Sequence, residues 1–172
     1  MTTTLTRSPL QSLIQIVDQA VHSAPTPTAT VNAVAAGIQP FLGIDNLLQP
    51  EQQVADPVTY RQHLLHVAAD GSFSVVALVW LPGQTTVIHD HVAWCVVGIH
   101  KGCEFETRYA LSRDGSLRQT ATATAAVGDV AGLLPPGDIH QVSNTGAEIA
   151  ISLHVYGADL RNTNTSIRRH YQ

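Results

Sequence analysis

The chain has 172 residues, 44% of them hydrophobic and 13% charged, with a mean hydropathy of +0.07, which suits one globular domain with a sizeable core and argues against a disordered chain. A net charge of −4, with nine Lys and Arg and no basic run, speaks against nucleic acid as a partner, and no apolar stretch is long enough to span a bilayer. Two cysteines, Cys95 and Cys103, are too few for a disulfide framework, and the polar N-terminus offers no export signal, so the cytoplasm is the expected compartment.

Ser8 before Pro9, with Gln11 three residues on, predicts a capped helix over Pro9 to His22, and Leu10, Leu13, Ile14, Val17 and Val21 recur at helical spacing along it. Ser23 to Thr30 breaks that helix, and Val31, Val34, Ala35 and Ile38 mark a second, shorter one. One further helical turn is expected between Pro50 and Asp56. From Tyr60 the pattern changes to β-formers separated by Gly, Pro or Asp-Gly turns, with strands expected at His63 to Ala68, Phe73 to Leu81, Thr86 to His100 and Glu104 to Leu111. Arg113 to Ser116 reads as a hairpin turn, Thr120 to Ala126 as an edge strand, and Glu148 to Tyr156 as a strongly alternating strand. Short strands at regular spacing point to an all-β sandwich or barrel with helices packed outside a sheet. The expected division is a single domain over 1–172: a helical part at 1–56, a barrel at 57–160 and a C-terminal segment at 161–172 that contributes to the pocket.

Chemistry concentrates in two stretches. His89 and His91 lie two apart in a β-branched setting, so on a strand both imidazoles share one face and can hold one metal ion. A third imidazole, His140, follows the turn Pro135-Pro136-Gly137. In Glu148 to Gly157, Ser152, His154 and Tyr156 alternate with Ile151, Leu153 and Val155, and that polar face needs hydrogen-bond partners if it lies inside the barrel; a plain surface face is the alternative. A serine hydrolase is the poorer reading, since a strand does not place a nucleophile on a turn.

The spacing Gly83-x5-His89-x-His91-x3-Cys95-x6-Gly102, with Pro135-x-Gly137-x2-His140-x3-Asn144, resembles the two motifs of the cupins. That resemblance implies a mainly β fold, a double-stranded β-helix or jelly-roll barrel, with two or three N-terminal helices and a metal inside its mouth. Cys95 stands where most cupins carry a metal-binding Glu. Three neutral imidazoles leave a bound metal its full charge, which favours a soft anionic donor such as a thiolate. Asp90, between the two histidines, is expected to face the other way and be structural.

A narrower resemblance rests on HDHVAWCVVG, PPGDIHQVSN and SLHVYG, which together look like the thiol dioxygenases of the cysteine dioxygenase family. It implies non-haem Fe(II) on His89, His91 and His140, and a hydrogen-bonded relay of Ser152, His154 and Tyr156 beside it. In animal members a cysteine near the position of Cys95 forms a thioether to the tyrosine matching Tyr156, so a Cys95–Tyr156 crosslink is a further implication, although the loop after His91 is one residue shorter here. For the substrate carboxylate, the strand position used by animal members falls on His63, with Arg61 and Gln62 beside it. Bacterial members resembling 3-mercaptopropionate dioxygenase use a chain-end arginine, which matches Arg169, with Arg168 next to it. The implied partners are O2 and a small thiol carboxylate, 3-mercaptopropionate or L-cysteine, oxidised to the sulfinate by a monomer or small homo-oligomer. The alternative is a non-catalytic metal- or ligand-binding cupin.

Overall fold

The computed structural model describes residues 7–163 and 165–172. Residues 1–6, part of the N-terminal stretch read as lacking an export signal, lie outside it. Among the described residues, ten strands form two antiparallel sheets of five: β1 (Arg61–Val67), β2 (Ser74–Trp80), β9 (Ala150–Tyr156), β4 (Cys95–Lys101) and β7 (Val130–Leu133) in one, and β10 (Ile167–Tyr171), β3 (Ile88–His91), β8 (His140–Ser143), β5 (Cys103–Leu111) and β6 (Leu117–Ala126) in the other, each in that order. The expected mainly β, double-stranded β-helix architecture is what the chain adopts.

Helix α1 (Pro9–Ser23) starts with the reciprocal Ser8–Gln11 capping box read from the sequence. Helix α2 (Pro27–Ile38) begins four residues before the expected apolar stripe, because Thr26 accepts from the Ala29 amide as N-cap and Pro27 suits the first turn. The expected break is present but short, at residues 24–26, and the rest of that Pro-rich segment is helical. The turn after Pro50 is a 310 turn, Pro50–Gln53.

The helices cover the outer face of the first sheet. Leu13, Val17, Val34 and Ile38 are fully buried against Val75, Ala77 and Val79 of β2 and Ile151, Leu153 and Val155 of β9. Strand alternation then turns the other half of β9, Ser152, His154 and Tyr156, into the space between the sheets, where all three are buried. Both faces of β9 are therefore core, and the surface reading of its polar face falls away.

The single strand expected over Thr86 to His100 is two strands in opposite sheets. The chain leaves β3 after His91, crosses in three residues, and re-enters as β4 at Cys95. Periodicity cannot show this, since β-formers continue through the crossing. β7, β8 and β10 were not expected as strands; the first two have four residues each, too short to show alternation, and β10 carries Arg168, Arg169 and His170 in a row. The Thr-Ala tract is the edge strand expected, within β6. Gly102 holds a left-handed φ of +69° at the β4–β5 corner, and a side chain there would meet the backbone oxygen of Ile149 at 2.9 Å.

Candidate metal centre and its relay

His89 and His91 project from β3 and His140 from β8, the strand beside it, with His89 and His140 directly paired. Their rings sit 4.7–5.0 Å apart centre to centre, and one nitrogen from each lies within 4.8 Å of the others. All three are buried.

Each ring is fixed through Nδ1. His89 donates to the Val87 carbonyl at 2.9 Å, His91 to the Asp138 carboxylate at 2.9 Å and His140 to Glu106 at 2.8 Å. With Nδ1 engaged, Nε2 is left as the free donor atom on every ring, and the Nε2 of His140 is buried with no partner. Burial pushes the His89 imidazolium pKa down to about 3 and lowers that of His140, so both are neutral ligands at pH 7. Burial works against ionisation of Glu106 and Asp138, but the bonds from His140 and His91 outweigh it and hold both carboxyls below their usual range. Three convergent imidazoles, those of His91 and His140 backed by carboxylates and that of His140 with an orphaned Nε2, fit a bound metal ion.

Asp138 and Glu106 were missed in the sequence. Asp138 sits two residues before His140 in the turn, where the cis peptide Pro135–Pro136 and the left-handed Gly137 (φ +101°) set the chain path. Glu106 is 34 residues from its histidine, and only the alternation of Glu104 and Glu106 along β5 marks an inward polar face.

Across the gap from these rings runs the β9 row. Tyr156 lies 5.9 Å from His91, ring centre to ring centre; its hydroxyl is 3.0 Å from His154 Nδ1, and His154 Nε2 is 2.9 Å from Ser152 Oγ, which accepts from Trp80 Nε1 at 3.2 Å. Burial lowers the His154 pKa far below its ordinary value and raises that of Tyr156 well above, so both are neutral. Cys95 pairs directly across from Tyr156, with its Sγ 4.0 Å from His154 Nδ1, and burial pushes its thiol up.

Tyr156, His154 and the three imidazoles line one cavity with Tyr60, Gln62, Trp80 and the segment Thr165 to Ile167. The carboxylate clamp is where the geometry departs from expectation. Arg61 and His63 lie on the outward face of β1, where His63 Nε2 bonds the Val54 carbonyl at 2.8 Å, and it is Gln62, one residue between, that faces the cavity. A gapless count back from His89 cannot see which face a strand residue takes. Arg168 bonds Asp90 and Arg169 lies 3.6 Å from the same carboxylate, with Tyr171 donating to it at 2.8 Å. Asp90 is the structural residue expected, turned away from its flanking histidines, and it carries both arginines to the far side of β3. None of the four lines the cavity.

The family model for cysteine dioxygenase type I matches residues 6–169. Among solved structures, TT1209 from Thermus thermophilus is similar at 22% identity over 68% of this chain and 98% of that one, with a TM-score of 0.51. A recombinant oxalate oxidase in complex with glycolate is similar at 21% identity over 68% of this chain and 62% of that one, with a TM-score of 0.50. An uncharacterized conserved protein with a double-stranded β-helix domain from Klebsiella pneumoniae matches at 18% identity over 75% of this chain and all of that one, with a TM-score of 0.48. At such identities the likeness to TT1209 and the oxidase is one of fold.

Proposed function

This chain belongs to the cysteine dioxygenase type I family, and from that premise we propose that it is a non-haem Fe(II) thiol dioxygenase converting a small mercapto carboxylic acid, 3-mercaptopropionate or L-cysteine, to its sulfinate. The observation that carries the reading is the meeting of three convergent histidines with a buried Ser-His-Tyr row in one cavity. In the balanced reaction RSH and O2 give RSO2H: sulfur loses four electrons, dioxygen gains them, and two S–O bonds replace the O–O bond.

His89, His91 and His140 would hold the ion through Nε2, with Asp138 and Glu106 fixing the rings of His91 and His140. Ferrous iron bound there would supply adjacent positions where thiolate and O2 meet, together with the one-electron steps that join them. Neutral ligands leave the cationic charge uncancelled, which favours the thiolate over the thiol. Tyr156, kept as a neutral hydroxyl and held by His154, is the hydrogen-bond donor to the reacting sulfur or oxygen. Of the polar side chains that line the cavity, Gln62, Thr165 and Ser166 would meet the carboxylate end. Cys95 pairs across from Tyr156, and a thioether between them, formed by a two-electron oxidation with O2 as the oxidant, would appear as the loss of two hydrogens in the intact mass after turnover.

Protein loaded anaerobically with ferrous iron and mixed with 3-mercaptopropionate, L-cysteine, mercaptosuccinate and cysteamine is expected to consume one O2 per thiol with at least one mercapto carboxylate. Silence with every thiol at full iron occupancy would remove the dioxygenase reading and leave a binding cupin.

A further inference from the structure

The space between the sheets does not end at the metal centre. Further along β4, Val97 and Ile99 wall a second cavity of about 90 Å³ together with Leu133 of β7 and Val142 of β8. His140 and Val142 line this cavity and the mouth cavity alike, so it reaches the metal centre without passing Gln62, Thr165 or Ser166. Its other end lies where the edge strands β6 and β7 close the gap between the sheets, and there its lining residues Ala125 and Val130 are only half-buried. The cavity thus runs from the seam of the two sheets to the wall of the metal site.

Seven of the eleven residues around it are apolar, and most of its polar groups are turned to other partners. Glu106 is bonded to His140 and to Arg108, each at 2.8 Å, and Asp129 accepts from the Ala126 amide at 2.8 Å. Glu104 adds a carboxyl whose Oε1 is buried without a partner. Interior cavities with largely apolar walls take up xenon and other small apolar molecules, whereas each buried water needs about two to four polar partners.

We propose that this seam cavity is a binding and entry site for a small apolar gas, dioxygen, separate from the mouth taken by the thiol carboxylate. The inference rests on the proposed function, which brings two substrates of opposite character to one ion. The mouth cavity offers about 40 Å³, and a mercapto carboxylate seated there fills it, so a second molecule needs a second way in. The seam cavity repels a carboxylate twice, by its apolar walls and by the carboxyls of Glu104, Glu106 and Asp129, while an uncharged diatomic meets neither penalty. One water takes roughly 10–15 Å³ of such space, so about 90 Å³ holds more than one molecule of diatomic size. What separates the two cavities is the pair of side chains that line both, Val142 and His140, and packed side chains change rotamer without a shift of the backbone.

The first arm of the test needs no turnover. Protein loaded with zinc and labelled with carbon-13 on its methyl groups is placed under xenon and read by NMR. The methyl resonances of Val97, Ile99, Leu133 and Val142 are expected to shift and saturate with xenon pressure. Ala125→Phe and Val130→Phe, which fill the seam end from opposite strands, are each expected to abolish those shifts. Methyls that stay in place in the wild type would mean a wet or closed cavity and would overturn the proposal. The second arm is kinetic: in the iron-loaded enzyme both variants should raise KM for O2 several-fold, with KM for the thiol and kcat at saturating O2 unchanged. A wild-type KM for O2 in a variant that has lost its xenon shifts overturns the proposal equally. An active enzyme that takes no xenon loses this proposal alone, whereas xenon bound beside silence with every thiol removes the dioxygenase reading and the role for O2 with it.

Discussion

At the level of single residues, the centre depends on groups that touch no substrate. Asp138 and Glu106 orient His91 and His140, and Asp138→Ala or Glu106→Ala is expected to weaken metal binding by about 10–100-fold in a calorimetric titration, the usual cost of losing such a partner. An affinity unchanged in both would mean that the rings are held by packing alone. Glu104 yields a stability expectation of definite sign. Its pKa is raised on folding, so below about pH 4.5 it is protonated in both states and costs nothing; as pH climbs towards 7 the unfolded chain ionises first and gains. The wild type should lose about 3 kcal/mol relative to Glu104→Gln over that interval, read from denaturant midpoints, and a difference that stays flat or runs the other way would contradict its burial as an acid. The three imidazoles and the relay were legible because their spacing in sequence is their spacing on a strand. Glu106 was not, since its partner His140 comes from another strand and no local pattern records which strand lies opposite.

Single strands and helices show where local reading stops. β2 and β9 were recognised, and their two-sided burial follows from helices on one face and the site on the other. β10 was not seen as a strand, yet it fixes part of the cavity wall: the Val92 amide donates to the Ser166 carbonyl at 2.9 Å, and Arg168 and Tyr171 tie the strand to Asp90. The chain-end arginine was expected to serve the site by charge, whereas in this structure it serves by anchoring. Arg168→Ala or Asp90→Asn is accordingly expected to raise KM several-fold through displacement of Ser166 and Ile167, with the larger part of kcat retained. Arg169→Ala, at a side chain 59% exposed, should do less. A larger KM effect from Arg169 than from Arg168 would return the clamp to Arg169.

In the whole molecule, the centre exists only when the two sheets face each other. The imidazoles stand on β3 and β8 of one sheet, and the Ser-His-Tyr row and Cys95 stand on β9 and β4 of the other. A metal that binds only the assembled site must stabilise the fold, by about 2.7 kcal/mol at a free concentration one hundred times its Kd. A clear rise in Tm on adding ferrous iron under argon is expected for the wild type and its absence for His140→Ala; equal shifts in both would put the ion elsewhere. Composition and strand spacing conveyed the barrel class, but the crossing between the sheets at residues 92–94 is a tertiary event with no sequence period. The central claim is that this cavity joins both atoms of dioxygen to a thiol sulfur. Turnover of the iron-loaded enzyme with 3-mercaptopropionate or L-cysteine under isotopically labelled O2, followed by mass spectrometry of the product, tests it most directly: a sulfinate carrying two labelled oxygens is the expected result, and a product with one label or none would contradict it.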